Sequence, residues 1–435
     1  MKFSPLARSI SLGSLAIALS IPMAAQAAFI EDSKASLELR NFYMNRDFRD
    51  APSGSQSKAE EWAQGFLLRY ESGFTEGTIG VGVDAYGFSG FKLDSGGGTS
   101  GTGLLLPKNH KGKVPSSYGS LGGTFKARLS ENTLKAGTLM PKIPTVSSGD
   151  GRLIPQTFTG VHINSQEIEN LTANIGRLGR MKQRNSTNDA PILLNGFSGN
   201  QGKRKNKSTR SNPTETSKFD FAGVNYNWGD TGLSTGYNFA NFDGAYKQHI
   251  VNGVYTLAID DNQSLKADLR YAKTSEDAKS GIDNKAISSM LTYSLGHSSF
   301  GLGYQKMSGD TGYAYIELTD PFLTNYVQIR DFAATDEKSW QVRYDYNFAG
   351  LGIPGLNLMT RYVKGSNIDM GVDAVTKVKK SRGNEWERDT DISYVIQEGP
   401  LKNLGIKWRN ATLRSDLSGK IDENRLIVNY TIPLM

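Results

Sequence analysis

The chain has 435 residues, a formal charge of +7, 48 Gly, 19 Phe, 19 Tyr, 4 His and no Cys. The absence of cysteine excludes a disulfide framework, thiolate catalysis and Cys-based zinc sites. Length alone would allow two or three soluble domains, but only 37% of the residues are hydrophobic and no long amphipathic helix is legible; the positive balance leans toward anionic partners.

The chain opens with Lys2 and Arg8, an apolar run over 10–25 broken by Ser and Pro22, and the small-residue site Ala25-Gln26-Ala27. This is the pattern of a secretory signal peptide cut after Ala27, residues 1–27, with 28–435 as the exported chain. The run is too short and interrupted for an anchor, and no later segment approaches the roughly 18 apolar residues of a spanning helix.

From Ala35 onward the apolar period is two. Ala35, Leu37, Leu39 and Tyr43 alternate with Ser36, Glu38, Arg40 and Phe42; Trp62, Phe66, Leu68 and Tyr70 with Ala63, Gly65, Leu67 and Arg69; Ile79, Val81, Val83 and Ala85 with Gly80, Gly82 and Asp84. The pattern returns at 125–129, 265–271, 340–348, 356–362, 404–408 and 426–434. Turn clusters at 71–73, 260–262, 352–355 and 398–400 alternate with long polar loops at 95–120, 184–217 and 368–384. That asymmetry belongs to an outer-membrane β-barrel, whose outward phases are apolar and end in aromatics. Strands of about 9–11 tilted residues cross a bilayer, so about 16–18 of them fit this length and enclose a water-filled lumen. A soluble sandwich or solenoid needs no aromatic collar, and no fixed repeat is present. The last apolar face, Leu426, Val428, Tyr430, Ile432 and Leu434, lets the final strand pair with the first and leave no edge. The expected fold is an all-β, transmembrane antiparallel barrel in the outer membrane of a Gram-negative bacterium.

The opposite phase of these strands holds twelve bases: Arg40, Arg69, Lys126, Arg128, Lys135, Lys266, Arg270, Arg343, Arg361, Lys407, Arg409 and Arg425. Seven acids accompany them: Glu38, Glu71, Asp84, Asp268, Asp345, Asp389 and Asp391. Charges avoid lipid in any barrel, so the informative features are the sign bias and the i,i+2 pairs Lys126/Arg128 and Lys407/Arg409. Two such cations repel, which points to an anion passing between them. Three prolines bar the stretch 139–158 from a central strand. Its apolar residues instead predict a loop folded against the inner wall, with Lys142 and Arg152 lining a narrowed pore. Asp310, at the end of a strand, is a third candidate, a carboxylate facing the basic wall.

The segments LELRNFYM (37–44), EWAQGF (61–66), ESGFTEGTIGVGVDA (71–85), GRLIPQTFTG (151–160), EKSWQVRYDYNF (337–348), GIPGL (352–356) and ENRLIVNYTIPL (423–434) resemble the OprD family of outer-membrane porins of pseudomonads. The resemblance covers nearly all of the exported chain. It implies a selective channel of about 18 strands, with two loops folded inward to form an eyelet and a basic ladder leading to it. Arg40, Arg69, Lys126, Arg128, Arg343, Arg361, Lys407 and Arg409 are the positions implied for that ladder. Arg152 falls in the segment matching the first constriction loop, and Asp310 at the start of the second. The stretch after Asp310 is shorter than is usual in the family. The 184–217 loop, with Lys203, Arg204, Lys205, Lys207 and Arg210, is peculiar to this chain; it reads as a solvated external loop, with contact to lipopolysaccharide as its other possible role. The terminal Met435 stands where many such barrels end in Phe.

The function expected is passive diffusion of small carboxylates, with aromatic or cyclic acids favoured over the basic amino acids or peptides of another family branch. A barrel-embedded hydrolase is the rival, but His110, His162, His249 and His297 have no nucleophile motif beside them. No cofactor, metal or nucleic acid is expected. The partners are the carboxylates, outer-membrane lipid and lipopolysaccharide, and the protein is a monomer or weak homotrimer.

Overall fold

A computed structural model describes residues 29–195, 215–373 and 375–435. The expected leader, 1–27, and the basic cluster at 203–210 lie outside the described residues. Eighteen antiparallel strands make one sheet, each paired with its neighbours in chain order. The ring closes where Lys34–Phe48 pairs with Gly419–Pro433, in register from Ser36 opposite Pro433 to Phe48 opposite Ile421. Closure satisfies every strand edge, which is what lipid demands of a sheet. No helix among the described residues is long and apolar enough to cross a membrane; strands do the crossing.

The period of two explains the two surfaces. Along Lys58–Glu71, Trp62, Phe66 and Leu68 are exposed on the outside, while Ala63 and Leu67 between them are buried. Along Ser117–Leu129, Leu121 is 83% exposed and Lys126 only 6%. In lipid the first set forms the apolar band, and the second faces the lumen.

The end that holds both termini is closed by short connections. Ser130-Glu131 and Gly296-His297 turn tightly, with Ser130 and Gly296 at φ of 51° and 54°. The other end carries the long loops 95–116, 140–156 and 310–337, and the described segments 183–195 and 215–218. Short turns face the periplasm and long loops the exterior in outer-membrane barrels.

The loop at 95–116 departs from the expectation of a polar external loop. Leu104 and Leu105 are 0% and 3% exposed and pack with Phe42, Leu67, Phe88, Tyr118, Leu153 and Ile154 inside the barrel mouth. Phe158, Leu178, Phe219, Phe221, Phe242 and Tyr246 form a second apolar cluster, which holds Ile192 and Ile316. Inward apolar residues near the mouth are therefore docking surfaces for loops, not a dry core filling the barrel.

Candidate functional site: the constriction of the lumen

The first constriction loop, 140–156, is held by packing and by charge. Leu153 is fully buried against the wall, at a place where two inward positions are glycine. A Cβ on Gly90 would lie 2.8 Å from Leu153 Cδ2, and one on Gly65 3.2 Å from Leu153 Cδ1. The missing side chains make the hole that Leu153 fills. Arg40 supplies the charged hold: its Nη1 donates to Asp150 Oδ1 at 2.7 Å and to the Arg152 carbonyl at 2.7 Å, and its Nε to Glu38 at 2.9 Å.

The second loop, 310–337, spans the lumen and is strapped to a column of carboxylates. Glu385, Glu387, Asp389 and Asp391 alternate inward along Gly383–Val395. The amides of Ile329 and Arg330 donate to Glu387 at 2.7 and 2.9 Å, and the amide of Gln328 to Asp389 at 3.2 Å. The Arg330 guanidinium pairs with Glu385 at 3.0 Å. Three strands away along the same side of the ring, Gln305 donates to the carbonyls of Asp331 and Phe332 and accepts from the Asn325 amide. The two loops also meet each other, the Asp320 amide donating to the Ser147 carbonyl at 2.9 Å and Gln156 to that of Glu317 at 2.8 Å.

Between them lies a cavity of about 750 Å³ lined by Arg46, Arg152, Arg184, Arg330, Arg361, Arg409 and Arg425 and by Asp150, Glu317, Asp320 and Asp331. Five of the seven arginines are matched by carboxylates of the wall. Arg46 and Arg425 share Glu423 at 2.5 and 2.6 Å, Arg361 pairs with Asp389 at 2.7 Å, Arg409 with Asp391 at 2.9 Å, and Arg330 with Glu385. Arg152 and Arg184 have no carboxylate partner among the described residues. Arg152 donates only to the carbonyls of Thr102 and Gly151, and the buried Arg184 Nε finds no acceptor. Burial, and the like charges of Arg425 and Arg184 beside it, push the Arg152 guanidinium below its ordinary value.

The acidic side is also organised. Tyr326 donates to Asp320 at 3.1 Å, Tyr315 to Asp331 at 2.6 Å and Gln183 to Glu317 at 3.1 Å. Burial raises the carboxyls of Asp320 and Glu317 above the usual carboxylate range, against the pull of Lys142 on the first and of Gln183 on the second. The constriction thus presents free guanidinium groups and weakened carboxylates to one aqueous space.

Each position expected for the ladder lies on a strand with its side chain toward the lumen, but nearly every cation has a protein partner. Arg69 pairs with Glu38 at 3.0 Å, Lys126 with Asp84 at 2.6 Å, and Arg343 with Asp345 at 2.6 Å. Lys407 and Arg409 flank Asp391 at 3.3 and 2.9 Å. The negative charge between that i,i+2 pair is the wall's own carboxylate, so a passing anion must compete with it. Arg128 stands over the Phe74 ring at 4.5 Å. Arg152 lines the constriction. Lys142 faces a second cavity of about 750 Å³ on the side of the termini, where Lys135, His162, Asn164 and Asn174 also lie, and it approaches Asp320 only at 3.9 Å. Asp310 is not among the residues lining the constriction, whereas Asp320, ten positions on, is. Of the strapping column, Asp389 is among the inward acids given by the sequence, whereas Glu385, Glu387 and Arg184 are not among its candidate site residues. The column was detectable as acids at every second residue, whereas Arg184 sits in a loop where no period marks a facing.

A family model described as outer membrane porin, OprD family, matches residues 27–434. Porin D of Pseudomonas aeruginosa is 36% identical over 460 aligned residues, spanning 100% of this chain and 99% of that protein. The crystal structure of Pseudomonas aeruginosa OpdQ is 55% identical with a TM-score of 0.83, covering 94% of this chain and 100% of the other. Pseudomonas aeruginosa OpdK, crystallised with vanillate, is 35% identical with a TM-score of 0.82, covering 93% and 100%.

Proposed function

The chain belongs to the OprD family of outer membrane porins, and on that premise we propose that it is a passive, selective channel for small carboxylates, favouring aromatic or cyclic acids. One observation carries the reading: Arg152 and Arg184 line the constriction without a carboxylate partner among the described residues, while the five other arginines there are paired. A carboxylate about 4 Å from a guanidinium gains roughly 4 kcal/mol at an effective dielectric near 20. That offsets part of its dehydration without trapping it, as conduction requires. The tyrosines Tyr315 and Tyr326 offer ring surface beside the arginines, and a 35% identical neighbour was crystallised with vanillate, an aromatic carboxylate.

A second reading within the same fold is passage of basic amino acids. It is favoured by Asp150, Glu317, Asp320 and Asp331 in the same cavity, which could meet an ammonium while Arg152 holds the carboxylate. The raised carboxyls of Glu317 and Asp320 favour the first reading, because burial makes each carboxyl harder to ionise and so a weaker partner for a cation. The conducting unit is one chain, since a single chain closes the ring and supplies both loops. Residues 1–27 are the leader removed on export. The fold and family point to a channel rather than an enzyme; His162 bonds Asn174 and His249 bonds Tyr237, each at 2.8 Å.

Reconstitution in planar bilayers tests the reading. Benzoate-type anions should block or permeate at lower concentration than arginine and than a neutral alcohol of the same ring size. Equal effects of the acid and the alcohol would sink it; stronger block by arginine would select the second reading.

A further inference from the structure

The outer surface carries charge that permeation does not use. Five consecutive strands, Gln263–Glu276, Asn284–Leu295, Ser298–Gly309, Lys338–Asn347 and Leu356–Ile368, each bear one lysine near the long-loop end: Lys273, Lys285, Lys306, Lys338 and Lys364. All five are exposed. Their chain neighbours Ala272 and Thr274, Asn284 and Ala286, Gln305 and Met307, Glu337 and Ser339, and Val363 are buried. The lysines therefore point away from the lumen, toward lipid.

The register sets them side by side. Lys273 is directly opposite Lys285, and Lys306 directly opposite Lys338. Lys285 faces Ser308, two residues from Lys306, and Lys338 faces Ser366, two residues from Lys364. Like charges directly opposite on an antiparallel pair repel, and here two such pairs adjoin. Among the described residues none of the five has an ion-pair partner, whereas Lys247 on the preceding strand is paired with Asp277 at 3.3 Å. The row lacks a counter-charge among the described residues.

Depth identifies where that counter-charge resides. Two residues toward the termini on the same outward face lie Tyr271, Tyr304, Trp340 and Tyr362, all exposed or half-buried, with Trp340 and Tyr362 in ring contact at 5.7 Å. Such aromatics mark the lipid–water boundary of a barrel, so the ammonium groups just above them sit at the level of the outer-leaflet headgroups. The row is also one-sided. The outward rim of the first strands carries Asn45, Leu93 and Lys58, the last paired with Glu60 at 2.8 Å, and the outward Arg177 is already matched by Asp220 at 2.5 Å. A general solubilising charge would not be confined to one flank.

We propose that this five-lysine row is a docking site for the phosphates of the outer-leaflet glycolipid, lipopolysaccharide. Neighbouring strands lie about 4.8 Å apart, so each phosphate of a diphosphorylated headgroup can be flanked by two ammonium groups, and its acyl chains lie along the apolar band below. Ammonium–phosphate bonds are charge-assisted and weaken with salt. The site rests on the outer-membrane setting and not on which solute the lumen passes.

The test uses the detergent-purified barrel and native mass spectrometry, with diphosphoryl lipid A, the same lipid dephosphorylated, and inorganic phosphate. Diphosphoryl lipid A should be retained about tenfold more than its dephosphorylated form, and K306Q/K338Q should cut that retention about tenfold. Inorganic phosphate at equal concentration should leave the bound lipid in place. A thermal-unfolding readout guards against misfolding of the variant. Without lipid, K306Q should unfold no earlier than the parent, because a repulsion is relieved, and lipid should then raise its unfolding temperature less. Equal retention of the two lipids, unchanged retention by K306Q/K338Q, or displacement of the lipid by free phosphate would overturn the site.

Discussion

Arg40 Nη1 meets Asp150 Oδ1 at 2.7 Å, joining two residues 110 positions apart in the chain. A ladder position on the first strand is therefore also the latch of the first constriction loop. Arg40→Gln should release that loop, raising single-channel conductance and lowering the preference for carboxylates over neutral solutes. The loss in stability should be about 3 kcal/mol at most, since Asp150 is 39% exposed and partly screened. Conductance traces and thermal unfolding in micelles check this. An unchanged conductance would mean that packing of Leu153 alone holds the loop.

Arg152 and Arg184 are the guanidinium groups of the constriction with no carboxylate partner among the described residues. Arg152→Gln and Arg184→Gln should each raise the half-blocking concentration of an aromatic carboxylate about tenfold, the effect of losing one charge-assisted hydrogen bond. Permeation of a neutral sugar should change little. Equal losses for acid and sugar would show that the loops had moved instead.

Asp391 lies between Lys407 and Arg409 and occupies the place an anion would take. Asp391→Asn should free both cations, shift the reversal potential toward anions, and speed carboxylate entry severalfold, by about tenfold at low ionic strength. Neutralising Lys407 and Arg409 together should do the reverse, weakening carboxylate uptake more than sugar uptake. If D391N left ion selectivity unaltered, the pair would be structural and not a step on the path.

The barrel was legible because lipid imposes a rule on every strand. Trp62, Phe66 and Leu68 had to alternate with lumen residues, and the final run to Leu434 had to close the ring. The same rule gives the facing of Arg40, Lys126 or Arg409. It does not give their partners, because Asp391 meets Arg409 only through a register that the period leaves open. Loops obey no period at all. Arg152 was readable because prolines and apolar residues marked its loop as inward, while Arg184 and Asp320 carried no such mark. Asp310 follows the end of a strand, where the period stops, and the loop beyond it carries Asp320 to the constriction instead.

Acidification should change selectivity before it changes structure. Burial holds the carboxyls of Asp320 and Glu317 above the ordinary carboxylate range. As pH falls from neutrality they take up protons first, ahead of carboxylates with ordinary values near pH 4. Arg152 and Arg184 remain charged over this window, being guanidinium groups. The constriction should thus become more anion-selective at pH 5 than at pH 7, a shift that Asp320→Asn should reduce by mimicking the protonated state. Reversal potentials in a salt gradient, taken at both pH values, decide it. A shift toward cations on acidification would contradict the assignment.

Gly90 offers a test of the first loop that leaves every charge in place. A Cβ there would come within 2.6 Å of Tyr118 Cε1 and 2.8 Å of Leu153 Cδ2, so Gly90→Ala must displace both. Tyr118 is tethered by its hydroxyl, which donates to the Leu104 carbonyl at 2.7 Å, so its ring shifts little and Leu153 moves further. Leu153→Ala removes the anchor from the other side, at a cost of about 2–5 kcal/mol for a buried leucine. Both variants should produce noisier currents and a larger mean conductance with unchanged single-file charge. In the double variant the alanine methyl at position 90 enters the space that Leu153 vacates, so its penalty should be smaller than the sum of the two. Additive penalties, read by thermal unfolding, would show that Gly90 and Leu153 do not share one hole.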